Sequence, residues 1–308
     1  MFVDYVQCTI SDPSGAVKEW IQGSLRGPWI GLDHVPYQYT HTLKCGGVSI
    51  FVDDPSNDKI RLVIKGEGCR ELEGAGAMTS WAEFLARLLR VDAKFSRLDA
   101  AIDDHDGVLS MDTILLCCKE GRVVSRYNKI MPLEPLCLTT GQVTGRGAAF
   151  GERGSETLVR IYDRGMKEQT ANLWVRVELE AHDKKAQALA QAIAEGREDV
   201  VPRTLLACIN FKVKGSTERR ERWATEEWWT RFLGTTERFH LETAPCDESL
   251  EKSYHWLMHQ VCRAFAVVHD SAAYPALIED LLKQGRQKRD AKLTKAAQKR
   301  QKPMVSTS

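Results

Sequence analysis

The sequence predicts an α+β fold in which antiparallel sheets have helices packed on one face. Short alternating segments separated by turn residues recur along the chain, a pattern that is typical of antiparallel meanders. Two such meanders are each closed by an amphipathic helix, which indicates a helix–meander–helix unit that is used twice. The chain has 308 residues, of which 43% are hydrophobic and 28% charged. A sizeable core is therefore expected, and a fibrous or disordered chain is excluded.

The first half of the chain has the clearer pattern. We predict a strand over Phe2–Ile10 and a helix over Ala16–Ile21. Three hairpin strands are predicted next, at Tyr39–Cys45, Val48–Val52 and Ile60–Lys65. The glycine-rich stretch 66–77 is interpreted as a turn. Ser80 and Glu83 then have the spacing of a capping box, so a helix is expected to begin there.

The second half repeats this order. A strand is predicted over Ala93–Asp103, and a helix begins after Ser110 and ends near Gly121. The next meander is expected near Val123, Leu136, Ala148, Leu158–Tyr162 and Leu173–Glu180. An alanine-rich helix over His182–Glu195 closes it, and Gly196 ends that helix.

After Val213 the composition changes to that of a small helical subdomain. Apolar residues at helical spacing run from Leu250 to Phe265. Three tryptophans precede them, at Trp223, Trp228 and Trp229. Such a cluster is typical of a core, although stacking on exposed bases stays open. We therefore predict a main domain over residues 1–213, a helical C-terminal subdomain over 214–270 and a basic tail over 271–308.

The charge of the chain is unevenly distributed. The sequence has 43 Lys and Arg against 42 Asp and Glu, a net charge of +1. Residues 283–302 hold nine of those basic residues and one acid, so the remainder carries a net charge of about −7. The tail is interpreted either as a solubilising extension or as a basic segment that binds DNA phosphates in a salt-dependent way.

The cysteine pattern and the hydropathy of the chain indicate the cellular compartment in which the protein is expected. Nine cysteines occur without a C-x-x-C pair, which argues against a zinc ribbon or a disulfide scaffold and for a reducing environment. No apolar run is long enough to span a bilayer, and the N-terminus lacks a secretory pattern. We therefore expect a cytoplasmic protein with no membrane partner.

Three predicted strands place charged side chains on one face. On the first, Arg97, Asp99 and Asp103 alternate with apolar residues and therefore share a face. The second and third strands repeat this arrangement, with Arg160, Tyr162, Arg176, Glu178 and Glu180. One interpretation is the solvated face of a half-exposed sheet, whose cross-strand Arg–Glu pairs each stabilise the fold only slightly.

The alternative interpretation is a metal site with a nucleophile. Neighbouring carboxylates repel one another unless a cation lies between them, and their hard oxygens suit Mg²⁺ or Mn²⁺. A phenol with a pKa of about 10 attacks phosphorus well only if the phosphodiester is polarised and the phenolate is stabilised. Tyr162 would then attack a DNA phosphate by transesterification, with Arg160 and Arg176 binding that phosphate.

At these residues the sequence resembles the replication initiation factor family, which includes rolling-circle plasmid initiators, filamentous-phage initiators and nicking relaxases of conjugative elements. The resemblance rests on FSRLDAAIDD at Phe95–Asp104, FGERGSETLVRIYDRGMKEQ at Phe150–Gln169 and VRVELE at Val175–Glu180. Two further stretches, Lys65–Gly74 and Trp223–Trp229, resemble the phage branch.

The resemblance implies a metal-dependent, origin-specific DNA nickase in the main domain, with a strand-borne tyrosine that matches Tyr162. It implies carboxylate ligands for Mg²⁺ or Mn²⁺, which match Asp99, Glu178, Glu180 and Asp103. The usual Y-[ND]-K-x-x-x-E of the family occurs here as Tyr162 to Glu168, with Arg164 in place of the lysine and Glu168 at the position of the acid.

Basic residues near these motifs and in the tail are the candidates for binding DNA. The glycine-rich loop 139–156 contains two of them. It is interpreted either as a hairpin that grips the DNA backbone or as a plain connection, because it lacks the G-x-x-x-x-G-K-[ST] pattern of a nucleotide site. The candidates are Arg97, Arg146, Arg153, Arg164, Lys167, Lys288, Arg289 and Lys292.

The leading hypothesis is therefore a rolling-circle replication initiator. It would nick and rejoin origin DNA by tyrosine transesterification, leaving a 5′-phosphotyrosyl link and a free 3′-hydroxyl. The alternatives are a non-catalytic DNA-binding regulator on the same fold and a metal-dependent hydrolytic nuclease that uses water. The expected partners are single-stranded or supercoiled origin DNA and a host helicase, because no ATPase motif occurs in the sequence; a homodimer stays open.

Overall fold

The chain divides into two compact units, Met1–Thr243 and Ala244–Ser308. The computed structural model describes residues 2–32, 39–52, 58–76, 78–152, 154–170, 174–235 and 237–241 of the first unit. Of the second unit it describes three helical residues, Glu279, Lys283 and Gln284. The predicted helix from Leu250 to Phe265 lies outside the described residues, and the domain boundaries after 213 and 270 stay predictions. Among the described residues, no helix is long and apolar enough to cross a membrane.

Ten strands form one antiparallel sheet, in the order β2-β3-β4-β5-β1-β6-β11-β10-β9-β8. The remaining two described strands, β7 and β12, pair with each other. The bounds in chain order are β1 Phe2–Ser11, β2 Ile30–Leu32, β3 His41–Cys45, β4 Val48–Val52, β5 Lys59–Ile64, β6 Lys94–Asp104, β7 Val123–Ser125, β8 Ile130–Leu133, β9 Gly147–Phe150, β10 Thr157–Asp163, β11 Val175–His182 and β12 Ile209–Phe211.

The described residues also form eight α-helices, which share one apolar core with the alternate residues of the strands. Ser80 Oγ accepts a hydrogen bond from the Glu83 amide, as the capping-box spacing predicts, and Ser110 Oγ accepts from the Thr113 amide. The helices are α1 Ala16–Gly23, α2 Gly66–Gly74, α3 Trp81–Arg90, α4 Met111–Lys119, α5 Arg164–Lys167, α6 Asp183–Ala194, α7 Val200–Cys208 and α8 Glu227–Leu233. The predicted α+β class is confirmed.

The strand order shows the predicted duplication. In the first half, β1 lies at the sheet centre, α1 follows, and the meander returns from edge strand β2 to β5, which pairs with β1. In the second half, β6 lies beside β1, α4 follows, and the meander returns from edge strand β8 to β11, which pairs with β6. The two halves therefore meet at the antiparallel pair of their first strands.

The interpretation of stretch 66–77 as a turn is wrong, because most of it forms helix α2. The glycines in this stretch allow close packing rather than a bend. A Cβ atom on Gly47, in the turn between β3 and β4, would stand 2.1 Å from the backbone nitrogen of Gly68. Glu71 Oε2 accepts a hydrogen bond from the Gly47 amide at 3.1 Å, and Cys69 and Leu72 are fully buried. Helix α2 is thus held against the hairpin by a backbone contact.

Two of the three tryptophans belong to the core or pack against it, Trp229 and Trp228, while Trp223 is partly exposed and its stacking on bases stays open. Trp229 is fully buried, and its ring centroid lies 5.1 Å from that of Phe211 on β12. Lys212 is also buried, and its ammonium donates to the carbonyl of Trp223 at 2.9 Å. Burial lowers the pKa of Lys212. This segment therefore anchors α8 to the main unit through apolar packing and one buried cation.

The close contact between Gly47 and Gly68 leads to a test of the fold. Gly47→Ala should lower the free energy of unfolding by about 1–3 kcal/mol, because its new methyl group meets backbone atoms that cannot rotate away. Gly74→Ala is the matched control, since a Cβ there meets nothing within 4 Å and should stabilise α2 by about 0.5–1 kcal/mol. Urea unfolding of both variants measures the difference, and equal stabilities would contradict the packing of α2.

Candidate active site

The three predicted polar strands are adjacent in the sheet, and their charged residues share the face opposite the helices, which we call the polar face. On β11 and β10, Tyr162 pairs with Arg176 and Arg160 pairs with Glu178. On β11 and β6, Arg176 pairs with Asp103, while Glu180 pairs with Asp99. Segments separated by about sixty residues in the sequence therefore form one continuous surface.

The charged side chains of the polar face are buried. Asp99, Arg176, Glu178 and Glu180 have relative exposures of 2%, 5%, 5% and 8%. A solvated sheet face would leave such groups in water, so the interpretation as an ordinary wet face does not fit them. Buried charges require partners, because an unpaired charge in this environment costs several kcal/mol.

Three of the predicted ligands, Asp99, Glu178 and Glu180, converge on one guanidinium; we call them the carboxylate cluster. Arg160 Nη2 lies 2.7 Å from Glu178 Oε1, 2.9 Å from Glu180 Oε2 and 3.7 Å from Asp99 Oδ2. Arg97 Nη2 lies 2.6 Å from Asp99 Oδ2 and 2.8 Å from Glu180 Oε2. Two guanidiniums thus balance three carboxylates, which leaves one negative charge in excess.

The excess charge raises the proton affinity of the cluster. Burial raises the pKa of Asp99 to about 7, since the loss of water outweighs the opposing effect of the Arg97 guanidinium. The neighbouring charges of Glu178 and Glu180 raise this pKa further. The cluster therefore lacks one positive charge, which either a proton or a bound cation would supply.

The fourth predicted ligand, Asp103, lies in a separate pair. Arg176 donates to it through Nε at 2.6 Å and through Nη2 at 2.8 Å. Arg176 Nη1 also lies 3.3 Å from Asp4 Oδ1 on β1. Asp103 and Arg176 thus neutralise each other, so the structure separates Asp103 from the carboxylate cluster and engages the predicted phosphate ligand Arg176. Within the part of the chain that the structure describes, no three His, Cys, Asp or Glu side chains stand close enough to hold a metal ion.

Tyr162 lies beside the carboxylate cluster. Its hydroxyl donates to Glu178 Oε2 at 3.4 Å, and the Lys167 ammonium lies 5.4 Å from its ring centroid. Burial and the Glu178 charge raise the pKa of Tyr162, while Arg164 and Arg176 lower it. The net direction is upward, so the phenol is protonated at neutral pH and needs an acceptor for its proton before it can attack.

A cavity of about 580 Å³ opens at Tyr162. Its lining includes four basic residues, Arg146, Arg160, Arg164 and Lys167. The Nε atoms of Arg160 and Arg164 are buried and have no hydrogen-bond acceptor among the described residues. A buried donor without an acceptor destabilises the fold by about 1–3 kcal/mol, a cost that an ordered water or a ligand oxygen would relieve. A phosphate group has the oxygens that these donors lack.

The short motif after Tyr162 forms a single helical turn whose ends are held by its own side chains. Asp163 Oδ1 accepts from the Met166 amide at 2.8 Å and so begins helix α5. Arg164 Nη2 lies 2.9 Å from Glu168 Oε1, one helical turn later. The acid of the motif therefore pairs with the arginine that replaces the family's lysine.

The other predicted DNA-binding residues differ in where they lie and in what they contact. Arg97 is engaged by the carboxylate cluster, and its guanidinium carbon lies 4.5 Å from the centroid of the Tyr5 ring. Arg146 lines the cavity and pairs with exposed Asp112 at 2.6 Å. Four candidates lie outside the described residues, namely Arg153, Lys288, Arg289 and Lys292.

Two residues of the site were missed by sequence reasoning. Asp4 lines the cavity and contacts Arg176, which only the pairing of β1 with β6 reveals. His182 Nε2 lies 2.7 Å from Glu180 Oε1. The alternation of Glu178 and Glu180 continues to His182, so the position of His182 on the polar face was predictable from the sequence.

The raised pKa of Asp99 leads to a test by pH. The folded state holds a proton on Asp99 more tightly than the unfolded state does, so stability from this proton is complete below about pH 4 and is lost as pH rises to about 7. Across that window the wild type should lose up to about 1.4 kcal/mol per pH unit relative to Asp99→Asn. Urea unfolding at several pH values measures this; parallel curves would show that folding leaves the pKa of Asp99 at its ordinary value.

Comparisons with known proteins identify the family of this chain. Residues 1–87 match the rolling circle replication initiation protein N-terminal domain, and residues 93–284 match the replication initiation factor family. A Bacillus subtilis (strain 168) protein named "Putative DNA relaxase NicK" is 24% identical over 249 residues, which cover 75% of this chain and 70% of that protein.

A solved structure has the same fold. The rolling circle replication initiator protein from Geobacillus stearothermophilus superposes with a TM-score of 0.67 at 25% identity, covering 78% of this chain and 98% of that one. The match to residues 93–284 spans more than half of the sequence, and the resemblance at Phe95–Asp104, Phe150–Gln169 and Val175–Glu180 falls within it. The chain belongs to the replication initiation factor family.

Proposed function

We propose that this chain starts rolling-circle replication by nicking and rejoining DNA through Tyr162. The observation that carries the proposal is the position of the Tyr162 hydroxyl, 3.4 Å from a buried carboxylate and inside a cavity lined by four basic residues. The names of the two relatives, one a DNA relaxase and the other a rolling circle initiator, support the same activity. We propose a phage or a plasmid as the element that is replicated.

The reaction is a transesterification in which no bond energy is lost to water. The Tyr162 oxygen forms a bond to phosphorus, its proton passes to Glu178 Oε2, and the bond from phosphorus to the 3′-oxygen breaks. The leaving oxygen takes a proton from solvent and becomes a free 3′-hydroxyl, while the 5′ end stays on the tyrosine. The reverse sequence rejoins the strand.

The basic residues of the cavity bind the phosphate during this reaction. Arg160 and Arg164 both line the cavity, and their guanidinium groups are suited to binding phosphate oxygens. The Lys167 ammonium lies over the Tyr162 ring, where its charge favours the phenolate that forms as the proton leaves. Arg176 lowers the pKa of Tyr162 from the other side.

We further propose that the carboxylate cluster holds Mg²⁺ or Mn²⁺. The donor chemistry suits such an ion, because the cluster consists of three buried carboxylates with one negative charge in excess. In the described residues these carboxylates do not stand close enough together to share one ion, so cation binding would require them to move. When bound, the cation would polarise the scissile phosphate and stabilise the phenolate. Arg160 now lies among the same oxygens, so its contacts and cation binding compete.

The proposed nucleophile is tested by a covalent adduct. A supercoiled plasmid that carries the DNA around the gene for this chain, and single-stranded fragments of it, should form an SDS-stable protein–DNA species with Mg²⁺ or Mn²⁺. Tyr162→Phe should abolish this species, because it removes the attacking oxygen and leaves the ring in place. Tyr127→Phe is the control, since Tyr127 bonds Thr157 rather than lining the cavity.

The outcomes separate the proposal from its alternatives. Nicking that persists in Tyr162→Phe would remove Tyr162 as the nucleophile. Nicking without protein on the 5′ end would identify a hydrolytic nuclease, and DNA binding without nicking in any divalent metal would identify a regulator. A host helicase is proposed for unwinding, because the sequence has no ATPase motif; a homodimer is tested by the mass of the complex in solution.

The proposed ligand set is tested by Mn²⁺ titration without DNA. Asp99→Asn and Glu178→Gln should each weaken Mn²⁺ binding by at least about tenfold, because each removes a charged ligand. Asp103→Asn is the matched control and should bind Mn²⁺ as the wild type does, because Asp103 is paired with Arg176. Loss of binding in Asp103→Asn alone would move the metal site to the Arg176 side.

A further inference from the structure

A hairpin projects from the sheet beside the cavity; we call residues 133–147 the arm. The arm is an ordered structure, because Leu136 and Val143 form a β-bridge and the Cys137 amide donates to the Gln142 carbonyl at 2.8 Å. The Thr144 amide donates to the Pro135 carbonyl at 2.8 Å. The loop 139–156, for which the sequence left a DNA grip and a plain connection open, therefore begins in a formed hairpin.

The arm presents apolar side chains to solvent. Leu138, near its tip, is fully exposed, and Leu136 and Val143 have relative exposures of 57% and 40%. Met131, on the adjoining strand β8, is 55% exposed. These are four of the ten large hydrophobic residues that are exposed among the described residues, so they are concentrated at one place. Such a concentration marks an interaction site.

The base of the arm adjoins the proposed nucleophile. Leu133 pairs with Gly147, and Gly147 pairs with Tyr162, so the three residues lie in one row across the sheet. Pro135, Thr144 and Arg146 belong to the arm and line the cavity. At a strand rise of about 3.3 Å per residue, Leu136 reaches about 10 Å beyond this row. A DNA strand held at Tyr162 therefore has to pass the arm.

We propose that the arm is a wedge that inserts Leu138 and Leu136 between bases beside the scissile phosphate and keeps that DNA unpaired. This inference rests on the proposed function. Apolar side chains that enter between base steps unstack them, whereas phosphates are gripped by basic residues. The arm has a single basic residue, Arg146, and that residue faces the cavity, so its tip suits bases rather than the backbone.

A protein partner fits the arm less well. A stable protein interface takes about 20–30 residues from each side, and the arm over residues 133–147 is shorter than that. Two leucines are enough for a wedge, because each inserted side chain acts on one base step. The chemistry of the tip and its distance from Tyr162 therefore favour DNA.

The test compares a double variant with a matched control. Leu136→Ala/Leu138→Ala removes the apolar tip, and Ile30→Ala removes an equally exposed side chain from the opposite sheet edge. Three substrates are used once the wild-type nick has been mapped: the supercoiled plasmid, a single-stranded oligonucleotide, and a duplex with mismatches at the nick. The double variant should form the adduct at least about tenfold more slowly on the plasmid and at the wild-type rate on the other two.

A fluorescence measurement gives a readout that does not need nicking. In the Tyr162→Phe background, 2-aminopurine beside the mapped site of a paired duplex should brighten when the protein binds, and the tip substitutions should remove that change. An unchanged rate on the plasmid, an equal loss on all three substrates, or unchanged brightening would each overturn the wedge. Failure of the wild type to form any adduct would instead overturn the proposed function, while absent brightening with a normal adduct would overturn the wedge alone.

Discussion

The interaction on which this structure depends is the sharing of Arg160 by three buried carboxylates that come from two strands. Asp99 is supplied by β6, and Glu178 and Glu180 are supplied by β11. Burial makes each unpaired charge costly, so the strands must stay in one register for the pairs to form. A slip of one residue would turn the carboxylates into the apolar core. The same contacts thus determine the sheet register and the geometry around Tyr162.

The two halves of the duplicated fold differ in the residues that they contribute to the site. The strand order is the same in both, yet the polar face of β4 and β5 presents Ser49, Phe51, Arg61 and Val63, without a carboxylate, where β10 and β11 present paired acids and arginines. The first half contributes to the site through β1, whose Asp4 contacts Arg176 and whose Tyr5 ring lies against Arg97. The pair of β1 and β6 therefore joins a half that only supports the site to the half that carries the carboxylate cluster and Tyr162.

Sequence alone predicts which residues face the site, but not how they pair. Alternation is regular in β10, in β11 and from Arg97 to Asp103 in β6 because one face packs into the core, so the polar residues share the other face. The ion-pair partners of these residues could not be predicted, since they depend on which distant strands become neighbours in the sheet. Arg97 is the clearest case: it was predicted to contact DNA, which stays a prediction, but its ion pairs with Asp99 and Glu180 were not predicted. Helix α2 was missed because its glycines serve a contact with Gly47 rather than a turn.

Arg160 connects the two unbalanced parts of the site. Its Nη2 lies in the carboxylate cluster, which has one negative charge in excess, while its Nε is a buried donor without an acceptor among the described residues. A cation bound to the cluster would release Nη2 from its carboxylates, and a phosphate in the cavity would accept from the freed guanidinium. Under the proposed function, cation and DNA therefore favour each other's binding. The Tyr162 hydroxyl would then have the cation and the phosphate beside it only when the cation and the DNA are bound together.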